Sequence, residues 1–185
     1  MKRIKFVTDS AADIPKEYAD RYGVQVLPFS IALDKKLILD GVDYSPEEFY
    51  QLLISADHIP SHAQLTMFEF EQCFDQALQE GYDALIYTSI NSKGSSTYEN
   101  AILAQQHFQK KHPTFDIRVI DSRSYSFDYG FPVVEAAKQA LKGPVNVDVA
   151  EAMIRGWLDH SVILFAPYSL KFAQRSGRIP VAAAF

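Results

Sequence analysis

Ile4-Lys5-Phe6-Val7 runs directly into Thr8-Asp9-Ser10, and the same change from apolar to hydroxyl- and acid-rich occurs twice more. Ala84-Leu85-Ile86-Tyr87 leads into Thr88 and Ser89 and a polar turn reaching Thr97; Ile117-Arg118-Val119-Ile120 leads into Asp121-Ser122. Short apolar runs of this kind read as strands buried on both faces. A helical pattern follows the first two closely and the third after a longer loop. The expected fold is therefore α/β: a wound, mostly parallel sheet flanked by helices. In such sheets ligands bind in the crevice beyond the carboxyl ends of the strands. Three polar loops gathered at one edge propose a binding site there.

The rest of the chain fits this frame. Lys16 to Tyr22 reads as a helix ended by Gly23, Val24 to Phe29 as a second strand, and Ile31 to Leu39 as a hairpin about Asp34-Lys35. Ser45-Pro46-Glu47-Glu48 and Thr66-x-x-Glu69 are capping boxes, each opening a helix. The first helix carries Phe49, Leu52 and Leu53 on one face; the second carries Phe70, Cys73, Phe74 and Ala77. His58 to Leu65 reads as a connection. Ser96-x-x-Glu99 is a third cap, for a helix running to about Lys111. Helices over Phe131–Leu141 and Val147–Asp159, a strand over Val162–Ala166 and a short helix over Tyr168–Gln174 complete the pattern. Residues 1–160 are expected to form a Rossmann-like domain, and 161–185 the beginning of a second α/β domain.

Composition narrows the function. The 185 residues are 48% hydrophobic and 13% aromatic, ample for a core, and the net charge of -5 is interspersed. No basic face offers itself to phosphates, so nucleic acid is not expected as a partner. The single cysteine, Cys73, excludes an intrachain disulfide and a thiolate zinc cluster, and its place beside Phe70 and Phe74 makes it a buried filler. No apolar run approaches the roughly 18 residues of a membrane span. No signal-peptide pattern precedes the first strand, so a cytoplasmic location is expected.

The most distinctive segment is Ser92-Lys93-Gly94-Ser95-Ser96-Thr97-Tyr98. It places hydroxyls and a glycine at a helix start, where unpaired amides favour a carboxylate or phosphate. The Walker spacing and the Gly-x-Gly-x-x-Gly turn are absent, as is a Gly-x-Ser-x-Gly elbow. Asp9, Asp121 and Asp128 could form an acidic metal site, but Asp9 and Asp121 serve equally well as loop caps accepting backbone hydrogens. His58 and His62 stand four apart with Pro60 between them, which argues for a loop rather than a metal pair on a helix. His107 and His112 read as surface residues near a helix C-terminus. No metal and no cofactor is expected.

Four motifs taken together resemble the DegV family: Phe6 to Pro15 (FVTDSAADIP), Ser92-x-x-Ser95-Ser96-Thr97-Tyr98, Val119-Ile120-Asp121-Ser122, and Ser176-Gly177-Arg178-Ile179. The resemblance runs along essentially the whole chain. It implies a non-catalytic two-domain α/β protein that encloses a long-chain fatty acid in an apolar tunnel and presents its carboxylate to a separate fatty acid kinase. Ser95 matches the serine of the family's Ser-Gly-Thr-Tyr motif, with Ser96 in place of the glycine. Arg178 matches the arginine of the Gly-Gly-Arg-Ile turn, with Ser176 in place of its first glycine. The family's Thr-Ser-Gln-Pro loop falls on His62-Ala63-Gln64-Leu65, so His62 stands where a threonine would touch the carboxylate, and its imidazole can donate in its stead.

The carboxylate set implied is thus Ser95, Ser96, Thr97, Arg178, His62 and Ala63, with Ser10 and Ser122 at the pocket edge. Family members extend beyond the Gly-Arg-Ile turn through a segment that closes the tunnel. Here that wall comes from elsewhere in the native protein or from a homodimer, or the chain does not carry fatty acids as such. Each methylene left in water forfeits about 0.8 kcal/mol. Two other readings stand beside the carrier: a metal-assisted phosphoryl- or acyl-transfer enzyme using Asp9 and Asp121, and a degenerate, non-binding family member.

Overall fold

The computed structural model describes residues 3–34, 36–56, 58, 60–143, 145–164 and 166. Four parallel strands form the main sheet in the order β2 (Val24–Leu27), β1 (Ile4–Asp9), β6 (Ala84–Ser89), β7 (Asp116–Asp121). Side chains alternate between its two faces as the pleat requires. Val7, Leu85, Tyr87, Ile117 and Val119 join one buried cluster; Phe6, Ala84, Ile86 and Ile120 join another. The first face is covered by α3 (Met67–Gln79) and α4 (Thr97–Lys111), through Phe70, Phe74, Ala101, Ala104 and Phe108. The second is covered by α1 (Lys16–Tyr22), α5 (Phe127–Lys142) and α6 (Val147–His160), through Ala19, Tyr129, Val133, Ala137 and Ile154. Arg118, at the outer strand, bonds Asp116 on its own strand and Asp148 and Glu151 on α6, fastening that helix to the sheet edge.

A second, three-stranded antiparallel sheet stands apart, in the order β4 (Lys36–Leu39), β3 (Ser30–Leu33), β5 (Ser61–Ala63). With it goes α2 (Pro46–Ser55), capped by Ser45, whose hydroxyl accepts from Glu48 N at 3.3 Å while Glu48 Oε2 accepts from Ser45 N at 2.8 Å. No residue of α2 is buried. Its apolar positions Phe49, Leu52 and Leu53 are half-buried, and Tyr50 and Ile54 are exposed.

Several boundaries differ from expectation. The second strand stops at Leu27 because Phe29 has already left the main sheet: its N–H donates to Ser10 Oγ at 3.1 Å and its carbonyl accepts from Asp40 N at 2.9 Å. The connection after His58 contains β5, which adds to β3 with His62 opposite Ile31. Helix α5 begins four residues before Phe131, running through Gly130 and Pro132, both buried. Ser96 is the boundary residue of α4 but its side chain caps nothing; the Ser95 hydroxyl accepts from Thr97 N instead, at 3.3 Å. Val162, Ile163, Leu164 and Ala166 form no strand. The helix expected over Tyr168–Gln174, and all but the first few residues of the expected second domain, lie outside the described residues. Among the described residues no helix is long and apolar enough to cross a membrane.

Candidate functional site

The chain runs from β1 outward to β2, then returns to add β6 and β7 on the other side of β1. Strand order therefore reverses between β1 and β6, and the loops leaving these two strands diverge over a crevice. A cavity of about 400 Å³ lies there, within the roughly 300–1,000 Å³ range of small-molecule sites. Its floor is Ala11 after β1 and Ile90, Gly94 and Ser95 after β6; its far wall is Phe29, Ile31, Phe49 and Leu53 from the small sheet and α2. His62, Asp40 and Tyr125 border it as well. The walls are mostly apolar, with the polar groups few and grouped.

The sequence-named residues divide clearly. Ser95, in the loop after β6 of the main sheet, and His62, on β5 of the small sheet, both border this one cavity. Ser95 Oγ lies 2.9 Å from Thr97 Oγ1, so the buried Thr97 hydroxyl holds Ser95 rather than reaching the cavity itself. His62 sits on β5 and packs edge-on against Phe29, ring centres 6.0 Å apart. Ala63, the next residue of the same strand, does not border the cavity. Ser96 is exposed and also stands off it. Ser10 spends its hydroxyl on Phe29 N, bracing two of the walls without bordering the space. Ser122 is buried, donating to Ser124 O at 3.2 Å and accepting from Ser124 N at 3.0 Å, which closes its own loop rather than a pocket edge. Arg178 and Ser176 lie outside the described residues.

The acids at the strand ends are structural in their contacts. Asp9 is fully buried; its Oδ2 accepts from Tyr87 Oη at 2.8 Å and Ile90 N at 3.0 Å, and its Oδ1 from Tyr129 Oη at 2.5 Å. Burial pushes its carboxyl above the ordinary range, while the bonds from Tyr129, Ile90, Tyr87 and the Ala11 amide pull it back. Burial first, then the Asp9 charge, drives both tyrosines well above their usual value, so they stay protonated donors. Asp121 accepts from Ser92 N, Ser92 Oγ and Arg123 N at 3.0, 2.6 and 3.0 Å. Asp128 accepts from Ser124 Oγ at 2.5 Å and Ser161 Oγ at 3.1 Å. The three carboxylates are thus engaged separately, and among the described residues no group of three or more His, Cys, Asp or Glu side chains gathers where an ion could sit. His58 pairs with Asp34 at 3.4 Å, away from His62.

The walls themselves were not assigned by sequence reasoning. Phe29, Ile31, Phe49 and Leu53 come from a hairpin and a helix whose patterns give only their own faces. Tyr125 lies in a loop with no pattern at all; its neighbour Ser126, at φ 57 and ψ -155, holds a backbone conformation nearly confined to glycine.

Known proteins share this fold. A family model described as an uncharacterised protein of the DegV family matches residues 3–185. A DegV domain-containing protein of Clostridium perfringens is 33% identical over 98% of this chain and 63% of its own length. Another, from Caldanaerobacter subterraneus, is 34% identical over 97% of this chain and 61% of its own. The chain thus spans about three fifths of these relatives. Among solved structures, a DegV family protein from Thermus thermophilus, described for its fatty acid binding, superposes with a TM-score of 0.83 at 29% identity, covering 99% of this chain and 63% of that one. DegV of Bacillus subtilis, at 21% identity over 86% of this chain and 55% of its own, has a TM-score of 0.77 and speaks to the fold alone. With the switch-point cavity, the Thr8-Asp9-Ser10 strand end and a family match over nearly its whole length, this chain belongs to the DegV family.

Proposed function

We propose that this chain binds a long-chain fatty acid, with the acyl chain between the β1 and β6 loops and the wall made by α2 and the small sheet. The carboxylate lies at the Ser95 end, with His62 as a second donor and Arg178 balancing the charge. The observation that carries the reading is the cavity itself: apolar along Phe29, Ile31, Phe49, Leu53 and Ile90, with Ser95 and His62 on its border. The Thermus thermophilus relative, described as binding fatty acid, supports the ligand class.

Magnitudes favour an acyl chain over a small polar anion. About ten methylenes withdrawn from water contribute roughly 8 kcal/mol at about 0.8 kcal/mol each. A hydrogen bond to a charged headgroup adds roughly 1.5–3 kcal/mol, so the headgroup donors orient a ligand that the walls hold. The protein is non-catalytic in this reading and offers the carboxylate to a separate fatty acid kinase. The exposure of His62 at the border leaves room for such an approach. A homodimer, or the part of the family's length this chain does not span, supplies the remaining cover.

The test is to purify the chain from bacteria, extract it with organic solvent and analyse the extract by mass spectrometry. A co-purified fatty acid, with weaker retention in Ser95→Ala, is expected. No fatty acid in the extract, together with no uptake of added fatty acid, refutes the proposal.

A further inference from the structure

The two loops that frame the polar end of the cavity interlock at one point. An added Cβ on Gly94 would stand 2.7 Å from Tyr125 Oη, 3.4 Å from Cε1 and 3.5 Å from Cζ. The phenol of Tyr125 therefore fills the space that a side chain at position 94 would take. Both residues border the cavity, and Ser95 is next in the chain.

The segment carrying Tyr125 is held with unusual force for a loop. Arg123 at φ 55 and Ser126 at φ 57 flank it, both on the left-handed side that residues other than glycine rarely adopt. Their conformations are enforced from several directions. Asp121 Oδ1 accepts from Arg123 N at 3.0 Å, Ser126 Oγ donates to Asp13 Oδ2 at 2.6 Å, and Ser124 O accepts from Asn91 N at 3.1 Å. The last of these ties the loop directly to the turn that contains Gly94. Backbone held off its preferred regions at both ends of the Ser124-Tyr125 pair fixes where that pair stands, and Tyr125 is the member that borders the cavity.

We propose that Tyr125 is a headgroup-binding residue, seated on Gly94 so that its ring forms a wall and its hydroxyl stands beside Ser95 as a further donor to the ligand carboxylate. This rests on the fatty-acid reading of the cavity. It also gives Gly94 a steric function: the residue is glycine because Tyr125 is where it is.

The pair can be tested by suppression. Palmitic acid is titrated calorimetrically into delipidated wild type, Tyr125→Phe, Gly94→Ala and the double variant, with thermal unfolding followed in parallel. Tyr125→Phe keeps the ring and loses one donor to a charged group, so affinity falls about tenfold to a hundredfold. Gly94→Ala forces the hydroxyl off its seat and crowds the Ser95 turn as well, so binding weakens by a larger factor than in Tyr125→Phe. In the double variant the nearest ring atoms, 3.4 and 3.5 Å from the new methyl, are at ordinary contact distance, so affinity returns to the level of Tyr125→Phe. A double variant as weak as Gly94→Ala overturns the proposal, as does undiminished affinity in either single variant. Loss of melting temperature with unchanged affinity overturns it too, because that is the signature of a purely structural contact. If wild type takes up no palmitate, the fatty-acid reading itself fails and this inference falls with it.

Discussion

Replacing Tyr129 with phenylalanine removes one oxygen from the most deeply buried polar cluster and leaves the shape of the core intact. Tyr129 is fully buried, and its hydroxyl donates to Asp9 Oδ1 at 2.5 Å. A hydrogen bond to a charged group contributes about 1.5–3 kcal/mol, against about 0.5–1.5 kcal/mol for a neutral one. The effect therefore depends on whether Asp9 is ionised. Its folded pKa is raised above the unfolded value, chiefly by burial, so Asp9 burdens the fold most above that pKa and the burden lifts as pH falls through it. Tyr129 counters this by lowering the folded pKa. Without its donor the pKa rises further, and the loss is greatest near neutral pH. With a urea m-value of about 2 kcal/mol/M, the midpoint should drop by about 1 M near neutral pH. In acid below the folded pKa the drop should be less than about half as large. Urea unfolding followed by circular dichroism at the two pH values measures this. An equal drop at both, or none at neutral pH, refutes the view that Tyr129 stabilises a carboxylate.

Leu53→Asp places a charge in the cavity wall from a helix with no buried residue; fatty acid uptake should vanish while the unfolding free energy stays within about 0.5 kcal/mol of wild type, and loss of the fold instead would show that α2 belongs to the core. Cys73, whose thiol burial pushes up to about 12, should react with a disulfide reagent at mildly alkaline pH only after denaturation, so equal rates in native and unfolded protein would contradict its placement. Gly130→Ala should destabilise by about 1–3 kcal/mol although alanine is the better helix former, because the new Cβ would lie 2.4 Å from the Ala12 carbonyl oxygen and 2.8 Å from Ile14 Cγ1; an unchanged urea midpoint would show that α5 can shift away.

The parts of the fold written in local chemistry were legible. Apolar runs ending in hydroxyls located β1, β6 and β7, and the Ser45 and Thr66 boxes form as their spacing demands. The parts decided by distant partners were not. Strand β5 is three exposed residues without alternation, a strand only because β3 offers an edge. The start of α5 was hidden because Gly130 looks like a breaker, whereas it is there to let the helix pass the Ala12 carbonyl. At the Ser95-Ser96 pair the box spacing to Glu99 points to Ser96, and only the geometry of the turn selects Ser95. Of the candidate site, Ser95 and His62 came from motif resemblance. The walls could not, since Ile31, Leu53 and Ile90 become neighbours only once two sheets and a helix are assembled.

The absence of an interior in α2 bears on how a guest gets in and out. A helix whose half-buried apolar side faces a void has little packing of its own to lose when it swings outward. Whatever fills the void completes the hydrophobic contact that the chain leaves unfinished. Amide deuterium uptake along Pro46–Ser55 should therefore be rapid in the emptied protein and slow once it is filled, with loading and unloading both proceeding by local opening while the parallel sheet stays closed.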